Sequence, residues 1–172
     1  MRTRHLFCQI TLLIGLLCLS QASNAIDVWA TPIKAGGPLA GKKDCQFEVI
    51  TAWEGRQLSW DGPCKDGKAH GQGVLRAYKK DAPPQLFYGV LDHGELRKGV
   101  IDNADGGYFV GEFASGVLKP TDDATVGALT VDTFHLASEI AKAYSVRLNK
   151  AGNAASAAFY LKQSQKLSAQ MD

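Results

Sequence analysis

The sequence predicts an α+β fold: an antiparallel sheet built from successive β-hairpins, followed by two C-terminal helices. Three observations carry that expectation. An aromatic-x-Gly-x4-Gly pattern recurs three times, beginning at Trp60, Phe87 and Phe109. After Pro120 glycine becomes scarce and apolar residues take up helical spacing. Between the leader and that point stands a single pair of cysteines, Cys45 and Cys64.

Taken in order, residues 1–25 read as a secretory signal peptide. Arg2 and Arg4 precede an apolar run through Leu19, and Ser23-Asn24-Ala25 supplies small residues for cleavage after Ala25. The apolar run is shorter than the ~20 residues a span requires, so no retained transmembrane segment is expected. Cys18 follows Leu17 rather than the small residue that a lipid-attachment site wants. Without the leader, the 19 Lys+Arg of the chain fall by two to 17, matching 17 Asp+Glu. A neutral chain without a basic stripe excludes nucleic acid as a partner. Cys8 and Cys18 leave with the leader, and the remaining pair in an exported chain predicts a Cys45–Cys64 disulfide. Two cysteines without clustered histidines do not make a zinc set.

Residues 26–44, with Pro32, Gly36-Gly37-Pro38 and Gly41, read as an extended N-terminal segment. Residues 45–120 form the sheet domain. Alternation begins at Phe47 and Val49 and resumes at Trp53, Leu58 and Trp60 after a turn at Glu54-Gly55. Trp60 to Leu75 reads as one compact hairpin turning at Asp66-Gly67, a pair suited to positive φ. Gly62, Gly89 and Gly111 are spaced by 27 and 22 residues, and Lys79–Pro84 reads as an enlarged connection in the longer interval. The repeat is defined by Trp60, Gly62, Gly67, Gly71 and Gly73 in the first copy. Tyr88 (beside Phe87), Gly89 and Gly94 define the second; Phe109, Gly111 and Gly116 define the third. An aromatic residue and a glycine two positions on share a sheet face. The glycine is expected to leave room for a ring from the neighbouring unit.

The run Trp60-x-Gly62-x4-Gly67-x-x-His70-Gly71-x-Gly73 resembles a MORN repeat (membrane occupation and recognition nexus). The later copies are degraded: the second closes with Lys98-Gly99, and the third runs into Val117-Leu118-Lys119-Pro120. The resemblance covers about residues 53–119. It implies a twisted sheet of hairpins and a role in binding rather than catalysis. The lipid roles of the family belong to the cytosolic leaflet and carry over poorly to an exported chain.

Residues 121–172 form the helical segment. Thr121-Asp122-Asp123-Ala124 is a start signal, and Phe134, Ala137, Ala141, Tyr144 and Leu148 make a stripe widened by Leu136 and Ile140. Ala151-Gly152-Asn153 ends the first helix, and a second follows to about Gln170 with Ala158, Leu161 and Leu167 inward. The helices are expected to cap the sheet or cover a face; the alternative is a docking surface.

For function, the sequence offers no catalytic or metal-ligating set and no cofactor site. No nucleophile elbow or nucleotide loop is present, and His70, His93 and His135 lack helical metal spacing. The aromatics are the better candidates for recognition. Trp53, Tyr88 and Tyr108, together with His70 beside the first hairpin, are the expected binding residues. The reading is a non-catalytic periplasmic or secreted module, or envelope scaffold, that meets a protein or envelope component through its sheet face and hairpin tips. Contact with a membrane surface finds no support in the residues. The alternatives are an inhibitor or immunity-type protein acting on an envelope-targeting enzyme, and an envelope hydrolase using Asp61, Asp66 or His70.

Overall fold

The computed structural model describes residues 38–103 and 106–172. The leader, its cleavage site and most of the 26–44 segment lie outside the described residues. The fold is α+β, as expected, but it contains two sheets. The strands are β1 (Leu39–Lys42), β2 (Cys45–Glu48), β3 (Gln57–Asp61), β4 (Cys64–Lys65), β5 (Lys68–Ala69), β6 (Gly71–Lys79), β7 (Ala82–Asp92), β8 (Glu95–Asp102), β9 (Tyr108–Ala114) and β10 (Val117–Leu118). The helices are α1 (Val126–Lys150) and α2 (Ala154–Ser168). A six-stranded antiparallel sheet has the order β10-β9-β8-β7-β6-β3, and a four-stranded sheet has the order β1-β2-β5-β4.

Three expectations need correction at this level. Leu39–Lys42 is a strand rather than extended leader, because a two-residue turn at Lys43-Asp44 folds it back onto β2. The Trp60–Leu75 stretch is not one hairpin. β3 pairs with β6, while β4 and β5 between them turn at Asp66-Gly67 and join the smaller sheet, β5 running parallel to β2. Lys79–Pro84 is not an enlarged connection: β6 and β7 are longer than average strands joined by a tight turn with Asp81 at φ 61°. Pro83 and Pro84 are tolerated because this end of β7 extends past its pairing with β8, which begins at Leu86.

The repeat glycines line up across the sheet. Gly73 pairs with Gly89, Gly89 with Gly99, and Gly99 with Gly111. Gly62 completes this row beside Gly73, whose added Cβ would lie 2.8 Å from the Gly62 Cα. Two residues along, Trp60, Leu75, Phe87, Ile101 and Phe109 form the adjoining row. The Trp60 ring lies over Gly62 and Gly73, and the Phe87 ring over Gly89 and Gly99. Each ring therefore covers the glycine of its own unit and the one across from it, instead of the neighbouring unit's as expected. The third copy departs, since Gly111 faces Leu118 and Leu129.

Both faces of this sheet are covered. On one, Leu75, Phe87, Ile101 and Phe113 pack with Phe47 of β2, with Trp53 of a 3₁₀ turn at Thr51–Trp53, and with Ile50 just before that turn. On the other, Val74, Tyr88 and Val100 pack against Phe134, Ala137, Ile140 and Tyr144 of α1 and Tyr160 and Leu167 of α2. The α1 stripe is the expected one. In α2 the phase is corrected: Ala157, Tyr160, Ser164 and Leu167 face inward, while Ala158 and Leu161 are exposed. Tyr160 decides it, its ring meeting Tyr144 at a centroid distance of 4.5 Å. Small side chains let the helices approach closely, and Ser145 Oγ donates to Ala157 O at 2.7 Å while Ser138 Oγ donates to Ser164 O at 3.1 Å.

The helix ends follow the sequence signals. Thr125 N donates to Asp122 Oδ1 at 2.9 Å ahead of α1. At the other end Gly152 (φ 79°) donates to Asn149 O and Asn153 N to Leu148 O, the paired bonds of a Schellman stop. Asn153 then caps α2, its side chain accepting from Ser156 N at 3.1 Å. No helix among the described residues is long and apolar enough to cross a membrane. Cys45 in β2 and Cys64 at the start of β4 form the expected disulfide, with Cα atoms 5.3 Å apart.

Candidate functional site

Covering both faces removes most of the expected recognition surface. Trp53 is fully buried in one core, Tyr88 is fully buried under the helices, and Tyr108 stacks edge-on against Phe134 at 5.3 Å. The Tyr88 hydroxyl is enclosed without a hydrogen-bond partner, and burial pushes its pKa far upward. These three aromatics hold the layers together. Of the four expected binding residues, Tyr108 is half-buried against the helices, and His70 stands at a hairpin end with its side chain 38% exposed.

His70 stands where the β4–β5 and β7–β8 hairpins meet. It lies between β5 and β6, its backbone N donating to Pro63 O at 3.0 Å. Three positions from the Gly73–Gly89 pair along each strand, the register brings His70 opposite Asp92 at the end of β7. The β7–β8 connection is the two-residue turn His93-Gly94, with φ 51° and 89°, the left-handed pair that a tight hairpin requires. That turn is tied to the small sheet by backbone bonds: Gly94 N donates to Ala69 O at 2.8 Å, and Glu48 N to Gly94 O at 2.9 Å. An added Cβ at Gly94 would press on Gln46 O at 3.0 Å, so the docked turn requires glycine for space as well as for φ.

The result is a cluster of His70, Asp92 and His93. His70 Nδ1 lies 3.2 Å and His93 Nδ1 2.7 Å from the same oxygen, Asp92 Oδ1. The two rings meet edge to face at 5.6 Å. The other carboxylate oxygen faces Arg97, whose NH2 is 3.7 Å from Asp92 Oδ2 and whose NH1 is 3.2 Å from Glu95 Oε2. Arg97 reaches this position because the β7–β8 register shifts between Val90 and Leu91, leaving it in the bulge. Partial desolvation opposes ionisation of Asp92. The His93 hydrogen bond and the charges of His93, Arg97 and His70 outweigh it and hold the carboxyl below its usual range. Glu48 behind the turn is raised instead, by desolvation and then by the Glu95 charge, against the pull of Lys68 and Arg97.

A second polar cluster lies at the edge of the helix-covered face. Arg76 donates to Tyr144 Oη at 2.9 Å and to Ser59 Oγ at 3.1 Å, and lies 3.6 Å from Asp61. Arg147 of α1 pairs with the Asp61 carboxylate and lies over the Tyr144 ring at 4.8 Å. Asp61, Tyr144 and Arg147 line an open cleft of about 260 Å³ between α1 and strands β3 and β6. The contacts consume the carboxylate of Asp61: two arginines share it in a clamp that pins the helix to the sheet edge. Asp66 sits in the exposed turn at φ 51°, which explains its presence without any chemistry. Asp61, Asp66 and His70 thus each have a different partner or place. Lys166 pairs with Asp102 at 3.3 Å and so ties α2 to β8.

Sequence reasoning singled out His70 but missed Asp92 and Arg97 and placed His93 only in a turn. Pairing Gly73 with Gly89 is the signal that would have found them, because that register puts Asp92 across from His70. Compared with family models, curated proteins and solved structures, the chain shows no match.

Proposed function

We propose that the chain is a non-catalytic, exported binding module of the cell envelope, framed by a MORN-like sheet, that meets a protein or other envelope component with its hairpin tips. One observation carries this reading: both faces of the six-stranded sheet are covered, while one end presents the Asp66-Gly67, His93-Gly94 and Ser115-Gly116 turns. The meander places the His93-Gly94 and Ser115-Gly116 turns at the same end, and the bond from Gly94 N to Ala69 O brings the β4–β5 hairpin beside them, so three tips can contact one partner. Around the second tip Glu48, Lys68, Glu95 and Arg97 supply both signs of charge, which favours a polar, protein-like surface over an anionic membrane or nucleic acid. The commitment of Asp61 to two arginines supports binding over hydrolysis.

A photo-crosslinking residue at Arg97, compared with one at the exposed Lys142 of α1, tests the proposal in cells that export the chain. A discrete adduct from the tip position and none from the helix supports it. Adducts from the helix position alone would place recognition on the helical layer and overturn it.

A further inference from the structure

The cluster at the second tip has the chemistry of a metal site. We propose that His70, Asp92 and His93 bind a borderline divalent transition-metal cation, with zinc as its simplest occupant. The proposal is independent of which partner the tips contact.

Two imidazoles and one carboxylate match the donor preference of zinc and copper. A single oxygen ligand is far from the six to eight that calcium takes. One ligand atom from each residue falls within 4.8 Å of the others. Tetrahedral zinc with bonds of about 2.0–2.1 Å needs its ligand atoms about 3.3 Å apart. The His70–Asp92 separation of 3.2 Å already meets that value. The His93–Asp92 separation of 2.7 Å has to open by roughly half an ångström, and the exposed His93 side chain has room to swing.

Two further observations point to a cation. His70 Nδ1 is shielded from solvent and makes no hydrogen bond, although Asp92 Oδ1 is 3.2 Å away. A solvent-shielded ring nitrogen that makes no hydrogen bond, with a carboxylate oxygen as its near neighbour, is placed to gain from a metal bond. The second is the division of labour at Asp92. Arg97 attends Oδ2, orienting the carboxylate and leaving Oδ1 turned toward both histidines, as outer partners orient metal ligands elsewhere. The ligands are also held before any metal arrives, because the backbone bonds of Gly94 to Ala69 and Glu48 fix one tip against the other. Three protein ligands leave a fourth position for water or for a group from another molecule.

The experiment is calorimetric titration of ZnCl2 into the tag-free, chelator-treated full chain with its disulfide intact. One saturable site in the micromolar range is expected, with His70→Gln or His93→Asn each weakening it about tenfold or more. Asparagine is chosen at position 93 because it tolerates positive φ. His135→Gln, remote in α1, should leave binding unchanged, and calcium should not bind. In NMR spectra zinc should move the ring signals of His70 and His93 and spare those of His135. Absence of saturable zinc binding, or undiminished affinity in a folded His70→Gln/His93→Asn double variant, would overturn the proposal. Its failure would leave the crosslinking result untouched.

Discussion

Two substitutions of the same kind, Gly89→Ala and Gly127→Ala, should move stability in opposite directions. A Cβ at Gly89 would enter the Phe87 ring and the Lys98 carbonyl and lie 2.8 Å from the Gly99 Cα, well inside an ordinary carbon contact of about 3.5–4.0 Å. Neither obstacle is a flexible side-chain end: the ring is fully buried, and the rest is backbone of the paired strand. Overpacking of a fixed core costs about 1–3 kcal/mol, and this geometry argues for the upper end. The smaller unfolded-state entropy of alanine offsets it by roughly 0.4–1 kcal/mol, leaving a net loss of about 2–2.5 kcal/mol. Gly127 is in the first turn of α1 with nothing within 4 Å, so alanine there removes only the helix penalty of glycine and gains about 0.5–1 kcal/mol. Urea unfolding of the oxidised proteins, followed by circular dichroism, measures both. At roughly 4 °C per kcal/mol, the first variant should melt about 10 °C lower and the second a few degrees higher. A Gly89→Ala protein as stable as the parent would show that the aromatic ring does not lie on the glycine row.

Two other expectations are open to direct measurement. Opening the Cys45–Cys64 link by paired serine substitution should cost about 3 kcal/mol, the loop-closure entropy for a separation of 19 residues; urea titration reads that loss, and two thiols freely alkylated in the oxidised parent would refute the link. Asp92, whose carboxyl is held below its usual range in the folded chain, contributes stability that is present above its unfolded value near pH 4 and lost as pH falls through the lower folded value. Carboxyl NMR titration should show that His93→Asn returns it toward the ordinary range, and an unchanged value would mean that the imidazole is not its main partner.

Much of the fold was legible because its signals are local. Asp66-Gly67 demands a tight turn whatever surrounds it, the α1 stripe repeats over five residues, and Gly152-Asn153 carries its own stop and start. The features that were misread depend on distant chain. Leu39–Lys42 becomes a strand only because β2 offers it an edge. β4 and β5 leave the hairpin that contains them because β2 and the β7–β8 turn offer other backbone partners. Alanine-rich α2 has a weak periodic signal, and the ring of Tyr144 chooses its phase. The site was hidden for the same reason. His70 and Asp92 are 22 residues apart and meet only through the pairing of β6 with β7. The aromatics looked available because no local pattern shows that two layers cover them.

The row of glycines also answers a problem that burial on both faces creates. Along β7, Leu86, Phe87, Tyr88 and Leu91 are all buried, so no alternation of apolar and polar residues distinguishes one alignment from its neighbour. A slip by one residue would exchange Phe87 for Tyr88 at nearly equal cost in apolar area, the kind of error a two-faced strand invites. Glycine breaks the tie. The observed alignment sets Gly73, Gly89 and Gly99 side by side beneath the rings of Trp60 and Phe87, where an added Cβ would meet an aromatic ring, so a slip that replaces one of these glycines is expected to clash. The residue with no side chain thus acts as a key that selects the pairing, and the same alignment brings the tips together.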